Sequence, residues 1–345
     1  MERMMDKKRI EKVDVLKGFA IFCVVFGHAI QLYNGAIYRT EELFYTNILY
    51  KTIYSFHMPL FILISGYLFC ISLENSKCVK KIINREISYF IPILTFALVK
   101  TLINTPFNMY FSLIFFRNLL YYVFHTLWFL WALIYSSISI YLFEKITKKN
   151  IKYFLLFIAI ILIFITPDVL MSNMFKFTAP FFWIGYYIKK SNFNISSQLY
   201  LACIPIWLLM LAFYSNNHYI YITGISLNIT SSNITEILYQ LIFIDLFRYV
   251  IGLVGSLAIY KIICEILSIF SNRFIKCFRI IGNETLGIYI FSTEIINELV
   301  FEVTRNSSYN LIRTILLSIV VLIGTYLITR LIRKIKFINF FLLGK

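Results

Sequence analysis

Charge is scarce in this sequence, and acidic charge scarcer still: charged residues make up 14% of 345, with 17 Asp and Glu against 33 Lys and Arg, a net charge of +16. Beside 60% hydrophobic residues and a mean hydropathy of +0.77, this excludes a water-soluble globular fold, whose composition is nearer half apolar and a quarter charged. The acid deficit would point to nucleic acid only if the basic residues shared one continuous face. They fall instead in clusters between apolar runs, so nucleic acid is not an expected partner. Cys23, Cys70, Cys78, Cys203, Cys264 and Cys277 contain no CxxC spacing, which removes the sequence case for a disulfide framework or a zinc site. Internal repeats, low-complexity tracts and hydrophilic stretches long enough for a separate domain are missing too, so residues 1–345 read as a single membrane domain. No small-residue cleavage pattern follows the first apolar stretch, which begins at Val13 behind MERMMDKKRIEK and is expected to stay as the first helix.

Long apolar runs are abundant, and those of roughly 17–25 residues can cross a bilayer as helices. They place ten spans near 13–34, 53–73, 87–104, 118–143, 153–171, 175–188, 199–215, 237–262, 285–303 and 312–329. The sixth is short and holds Pro180, so a broken or re-entrant piece is expected there. With the N-terminus in the cytoplasm, 24 Lys and Arg fall on that side and six on the other: Arg39, Lys51, Arg117, Lys176, Arg305 and Arg313. Such an excess marks cytoplasmic loops. The expected fold is therefore an all-α polytopic transmembrane helical bundle of about ten spans with both termini cytoplasmic.

Ionisable side chains at membrane depth are costly and usually mark a site or pathway. The first span carries Asp14, Lys17 and His28. Lys17 and His28 are 11 residues apart, three turns plus roughly 20°, and so share one helix face about 16 Å apart along the axis. Asp14 and Lys17 are i,i+3 neighbours, placed to pair at the interface. His57 opens the second span and His125 has a similar depth in the fourth, whereas His218 lies in a polar loop and is expected to be solvated. Lys100, Glu294 and Glu298 are further intramembrane charges, and Asp245 and Arg248 are spaced to neutralise each other.

These residues resemble the bacterial acyltransferase-3 membrane proteins, which include O-antigen acetylases and fucose 4-O-acetylases. Their hallmark, Arg or Lys followed by ten residues and then His in the first helix, is matched by Lys17 and His28, within a D-x-L-K-G-x-A-I pattern over Asp14, Leu16, Lys17, Gly18, Ala20 and Ile21. FHMPLFILISGYLF at Phe56–Phe69, LWFLWALI at Leu127–Ile134 and IGNETLGIYIF at Ile281–Phe291 resemble later blocks, in order. Two departures stand out. Ile290, Phe291 and Ser292 follow Tyr289 where many members place a second His three residues on, and the pair of arginines common ahead of a proline is represented only by Lys81, Arg85 and Pro92 at shifted spacing.

The resemblance implies transfer of an acyl group, most often acetyl, from cytoplasmic acetyl-CoA or another acyl-CoA to a hydroxyl of a cell-surface glycan or its lipid-linked precursor, with no metal. It implies an integral protein of the bacterial inner membrane, with membrane lipids around it; oligomeric state carries no sequence signal. His28 is then the expected base, since imidazole titrates near neutrality, and a transient acyl-imidazole is an alternative route. Lys17, paired with Asp14, is expected at the CoA phosphates together with Lys81 and Arg85, although those loop charges also serve positive-inside topology. His57, Lys100, Trp128, Glu294 and Tyr67 are the expected acceptor contacts. A transporter or flippase for a lipid-linked sugar would use similar helices and buried charges, but the inverted repeats that would favour it are not seen.

Overall fold

The computed structural model describes residues 2–74, 79–110, 112–146, 172–225, 234–269 and 272–345. Among them every regular element is helical, as expected of a chain whose backbone groups must be satisfied within each segment in lipid. The longer helices are α1 (Glu2–Leu32), α2 (Ile48–Glu74), α3 (Val79–Asn104), α4 (Leu113–His125), α5 (Trp128–Ile146), α6 (Ser172–Lys190), α7 (Ser197–Phe213), α8 (Phe247–Ile269), α9 (Asn272–Gly282), α10 (Thr285–Phe291), α11 (Asn297–Thr304), α12 (Leu311–Ile332) and α13 (Lys336–Leu343). A π turn, Ser292–Ile296, joins α10 to α11, and another, Gln240–Leu246, leads into α8.

Among the described residues, five stretches are long and apolar enough to cross a membrane: Glu11–Leu32, Ile48–Glu74, Lys80–Asn104, Thr235–Leu267 and Leu311–Ile332. The pair α4 and α5, bent by 69°, would make a sixth. Of the ten expected spans, the one near 153–171 lies outside the described residues, and each of the others coincides with helix. Two details differ from expectation. Pro180 does not break its span: α6 runs through it without interruption, as membrane helices allow when neighbouring groups take up the freed carbonyl. The break lies in the fourth span instead. There Thr126 is extended and Leu127 has φ 51, a left-handed conformation rare for a branched side chain. Trp131 Nε1 donates to the Val123 carbonyl in the last turn of α4 at 2.8 Å, occupying a group that the break leaves without a helical partner.

The helix α12 shows which solvent the chain is built for. Its buried face carries Thr314, Ser318, Thr325 and Thr329 with Val321 and Leu322, while Ile312, Leu316, Val320, Ile323, Leu327 and Leu331 are exposed. A helix on a soluble domain has the opposite arrangement. In lipid, apolar residues lose nothing by facing outward, and small side chains with internally satisfied hydroxyls let helices approach. Thr325 and Thr329 both bond carbonyls four residues back.

Two compact units emerge. The first comprises Met1–Ile64, Phe193–Tyr219 and Phe247–Ile332, and the second Ser65–Asn192, Ile220–Leu246 and Arg333–Lys345. In the first, α1 packs against α9, α10, α11 and α12, and α7 against α8. Trp207 of α7 donates to Ser55 Oγ at 3.0 Å and lies edge-on to Phe56 at 5.6 Å. In the second, α3 contacts α4, α5 and α13, and α5 packs on α6. A Cβ on Gly66 would collide with the Phe182 carbonyl oxygen, which accounts for the glycine in the ISGYLF segment.

Candidate functional site

The first unit holds His28, His57 and His218. Both candidate ends of α1 are fixed by neighbours. At the first, Lys17 Nζ pairs with Asp14 at 2.9 Å, each side chain mostly covered, and the backbone there meets α9 at Gly18 and Gly282. One turn earlier on the same contact, Arg279 of α9 reaches Glu11 at 3.0 Å. At the other end, Gly27 leaves room for the Tyr54 ring of α2. His28 is the next residue, and the ring of His57 lies 4.6 Å edge-on from that of Tyr54.

Each imidazole has one ring nitrogen engaged. His57 Nδ1 lies 2.9 Å from the Ile53 carbonyl oxygen. A carbonyl only accepts, so the proton sits on Nδ1 and Nε2 keeps its lone pair. His28 Nδ1 lies 3.2 Å from Asn297 Nδ2, while Asn297 Oδ1 accepts from the Tyr33 hydroxyl at 2.6 Å. Tyr33 decides which way this amide faces. Turning it over keeps both contacts but makes the hydroxyl the acceptor, leaving a hydroxyl hydrogen without an acceptor in a fully buried residue, at a cost of about 1–3 kcal/mol. At about 1.4 kcal/mol per tenfold, that is a preference of roughly 5- to 140-fold. Asn297 therefore donates, His28 Nδ1 accepts, and the imidazole hydrogen of His28 is on Nε2. Among the described residues neither Nε2 has a hydrogen-bond partner.

Asn297 and Tyr33 were not among the expected site residues. Asn297 opens α11 directly after the π turn that holds Glu294, and that turn rotates the helix register away from the 100° steps a periodicity reading assumes. Tyr33 follows the last residue of α1, where its peptide N–H still bonds Ala29. Glu294 itself is half-buried in the π turn.

Beyond His57, toward the start of α2, the rings of Tyr50 and Tyr54 stack at 3.8 Å and Tyr45 lies 4.6 Å from Tyr219. Burial raises the phenol pKa of Tyr219, with Tyr214 adding to the shift. Burial, then Glu42, raises that of Tyr45, so both stay neutral hydrogen-bonding groups. His218 corrects an expectation: it is buried, not solvated, its Nδ1 accepting the Ser215 N–H at 2.8 Å, because the short turn Asn216–His218 folds the ring back on its own backbone. Its carbonyl accepts from Arg248 Nε at 2.8 Å.

The remaining expected residues belong to the second unit. Arg85 of α3 is half-buried, its guanidinium 4.2 Å above the Phe69 ring and 5.6 Å from that of Tyr89, with Nε 3.4 Å from Glu86. Lys81, one turn earlier, is exposed, while Lys100 on the same helix and Tyr67 on α2 are half-buried. Trp128 begins α5 just past the break and lies edge-on to Tyr221 at 6.3 Å. His125, at the end of α4, is exposed and stacks on Tyr121 at 4.0 Å.

A family profile described as an acyltransferase domain matches residues 10–330. Nodulation protein NolL of Sinorhizobium fredii (strain NBRC 101917 / NGR234) is 33% identical over 185 residues, 52% of this chain and 48% of that protein. Nodulation protein NolL of Mesorhizobium japonicum (strain LMG 29417 / CECT 9101 / MAFF 303099) is 30% identical over 177 residues, 50% of this chain and 46% of that protein. The chain thus spans about half the length of the curated relatives it matches. No solved structure matches.

Proposed function

This chain belongs to the acyltransferase family matched over residues 10–330, and on that premise we propose that it is a membrane O-acyltransferase moving an acyl group, acetyl first among candidates, from cytoplasmic acyl-CoA to a hydroxyl of a cell-surface or lipid-linked glycan. The observation that carries the reading is His28, which shares one helix with the Lys17–Asp14 pair and has its ring set by Asn297 and Tyr33. Among the described residues the second ring nitrogen of His28, Nε2, has no hydrogen-bond partner. In the reaction the acceptor oxygen bonds to the thioester carbonyl carbon, the C–S bond breaks, and the hydroxyl proton ends on the CoA thiol. An imidazole suits this chemistry in either of two roles, taking the hydroxyl proton through a bare nitrogen or donating N–H to the oxygen that becomes negative. Lys17, Lys81 and Arg85 are proposed for the CoA phosphates, and His57, Lys100, Trp128, Glu294 and Tyr67 for the acceptor, with the chain in the bacterial cytoplasmic membrane. The test is purified full-length protein in nanodiscs given radiolabelled acetyl-CoA and membranes from cells lacking the gene as acceptor. Label appearing in glycan supports the reading; intact acetyl-CoA and unlabelled glycan overturn it.

Lys17 supplies a prediction of its own. Lys17→Ala is expected to weaken CoA affinity at least several-fold, and Lys17→Arg to keep part of it, because phosphates need the positive charge more than its shape. Removing the ammonium also strands Asp14, mostly buried beside it, and an uncompensated charge is destabilising in itself. The Asp14→Asn, Lys17→Ala double variant separates these: affinity restored in it would assign Lys17 to neutralising Asp14 and not to the donor.

The proposed topology, with both termini cytoplasmic, follows from the loop charges. A reporter enzyme active only in the cytoplasm, fused after Lys345, is expected to be active, and a periplasmic one silent. The opposite result would reverse the direction of acyl transfer.

A further inference from the structure

The hydrogen bonds of the two imidazoles differ in a way that assigns them different work. His57 gives its Nδ1 hydrogen to the Ile53 carbonyl, so the nitrogen left over is a lone pair. His28 receives a hydrogen from Asn297 at Nδ1, so the nitrogen left over carries N–H. Both leftover nitrogens are Nε2, both lack a partner among the described residues, and the two helices meet at Gly27 and Tyr54, the positions flanking this pair. Acyl transfer from a thioester to a hydroxyl needs one acceptor for the hydroxyl proton and one donor for the oxygen that becomes negative.

Resting on the acyltransferase reading, we propose that His57 is the base of the reaction, that His28 is the N–H donor to the thioester oxygen, and that Asn297, held by Tyr33, is the positioning residue that keeps His28 in the donor tautomer. This moves the base from His28, where the sequence alone places it, to His57, which the sequence alone places at the acceptor. His57 Nε2 takes the hydroxyl proton as the acceptor oxygen bonds to the carbonyl carbon. The carbonyl oxygen, now an oxyanion, is stabilised by His28 Nε2–H. Collapse of the tetrahedral species breaks the C–S bond, and the thiolate recovers the proton from the His57 imidazolium, leaving ester, free thiol and both imidazoles as they began. Atoms and charge balance without a co-reactant.

Two measurements on the full chain in nanodiscs test the assignment. The chain has four histidines, so ¹⁵N-histidine spectra are assignable with His125 and His218 substituted in turn. Expected are a bare Nε2 on His57 and a protonated Nε2 on His28, shifting toward a mixture in Asn297→Leu; a bare Nε2 on His28 in the wild type overturns the proposal. The second measurement is acetyl transfer from acetyl-CoA to membranes of cells lacking the gene. A glutamine amide can donate a hydrogen but cannot take a proton, so His28→Gln should exceed His28→Ala by about tenfold or more, approaching what one oxyanion donor contributes. His57→Gln should be as impaired as His57→Ala, both about 10²–10⁴-fold below wild type. Rescue by glutamine at 57 and not at 28, or at neither, overturns the division of roles while leaving the enzyme intact as a finding. A wild type that transfers nothing sinks the acyltransferase reading instead, and the division of roles falls with it whatever the spectra show.

Discussion

Acyl transfer by His28→Ala is expected to fall at least about 100-fold below wild type, with the protein still inserted and still binding CoA. The magnitude does not depend on which proton role the imidazole has, since loss of one oxyanion donor costs about 10²–10³-fold and loss of a general base about 10²–10⁴-fold. Stability should suffer little by comparison. His28 keeps some exposure, and its removal leaves Asn297 Nδ2 without its acceptor, a deficit of about 1–3 kcal/mol when buried. Donor affinity should persist because Lys17 lies about 16 Å away along α1. Tyr33→Phe probes the same chain from its far end: it removes the hydroxyl that holds Asn297, freeing the amide to turn, and is expected to lower transfer about tenfold at unchanged acetyl-CoA KM. Calorimetric CoA titration beside the radiolabel assay measures both. Transfer by His28→Ala within tenfold of wild type would remove the imidazole from the chemistry.

What could be read from the amino-acid order follows from how local each feature is. The spacing of Lys17 and His28 is fixed by helix periodicity alone, and the Asp14–Lys17 pair forms as i,i+3 geometry dictates. Helix positions were legible because apolar length suffices to specify them. The break at Thr126 and Leu127 was not, because neither residue is a breaker by type; the feature that tolerates it is a tryptophan four residues on, reaching back to a freed carbonyl. Pro180, a breaker by type, sits inside an unbroken helix. Asn297 escaped for a related reason. Its partner His28 is 269 positions away and its register is set by a π turn, which leaves no mark in residue type. His218 read as solvated from a polar neighbourhood, whereas its ring is claimed by the backbone three residues before it. The glycines of the motif blocks, Gly18 and Gly282 among them, are explained only by the backbone packed against them.

Those glycines carry the second large prediction. A Cβ placed on Gly18 would collide with the carbonyl oxygen of Phe278, and one placed on Gly282 with the carbonyl oxygen of Asp14, each obstacle being backbone and unable to rotate aside. The two residues mark a crossing where α1 and α9 touch main chain to main chain, which only residues without side chains permit. Asp14 and Lys17 lie in the same turn, so the crossing also sets where the ion pair points. Gly18→Ala and Gly282→Ala should each cost about 1–3 kcal/mol or more, the scale of overpacking in a closed interior, and Gly282→Leu should prevent accumulation of folded protein. Gly324 in α12 is the control, because a Cβ there meets nothing within 4 Å; Gly324→Ala should be neutral or stabilise by up to about 1 kcal/mol, as removal of a mid-helix glycine does. Thermal melting of the three purified alanine variants in one detergent measures their stabilities, and the yield of folded protein measures Gly282→Leu. Equal melting temperatures for Gly324→Ala and Gly282→Ala would mean that α1 and α9 do not cross at these residues, and the placement of Lys17 argued from that crossing would go with it. If instead Gly282→Ala melts low yet its remaining folded fraction binds CoA with wild-type affinity, the crossing supports the fold without aiming Lys17, and the donor site must be set by the rest of α1.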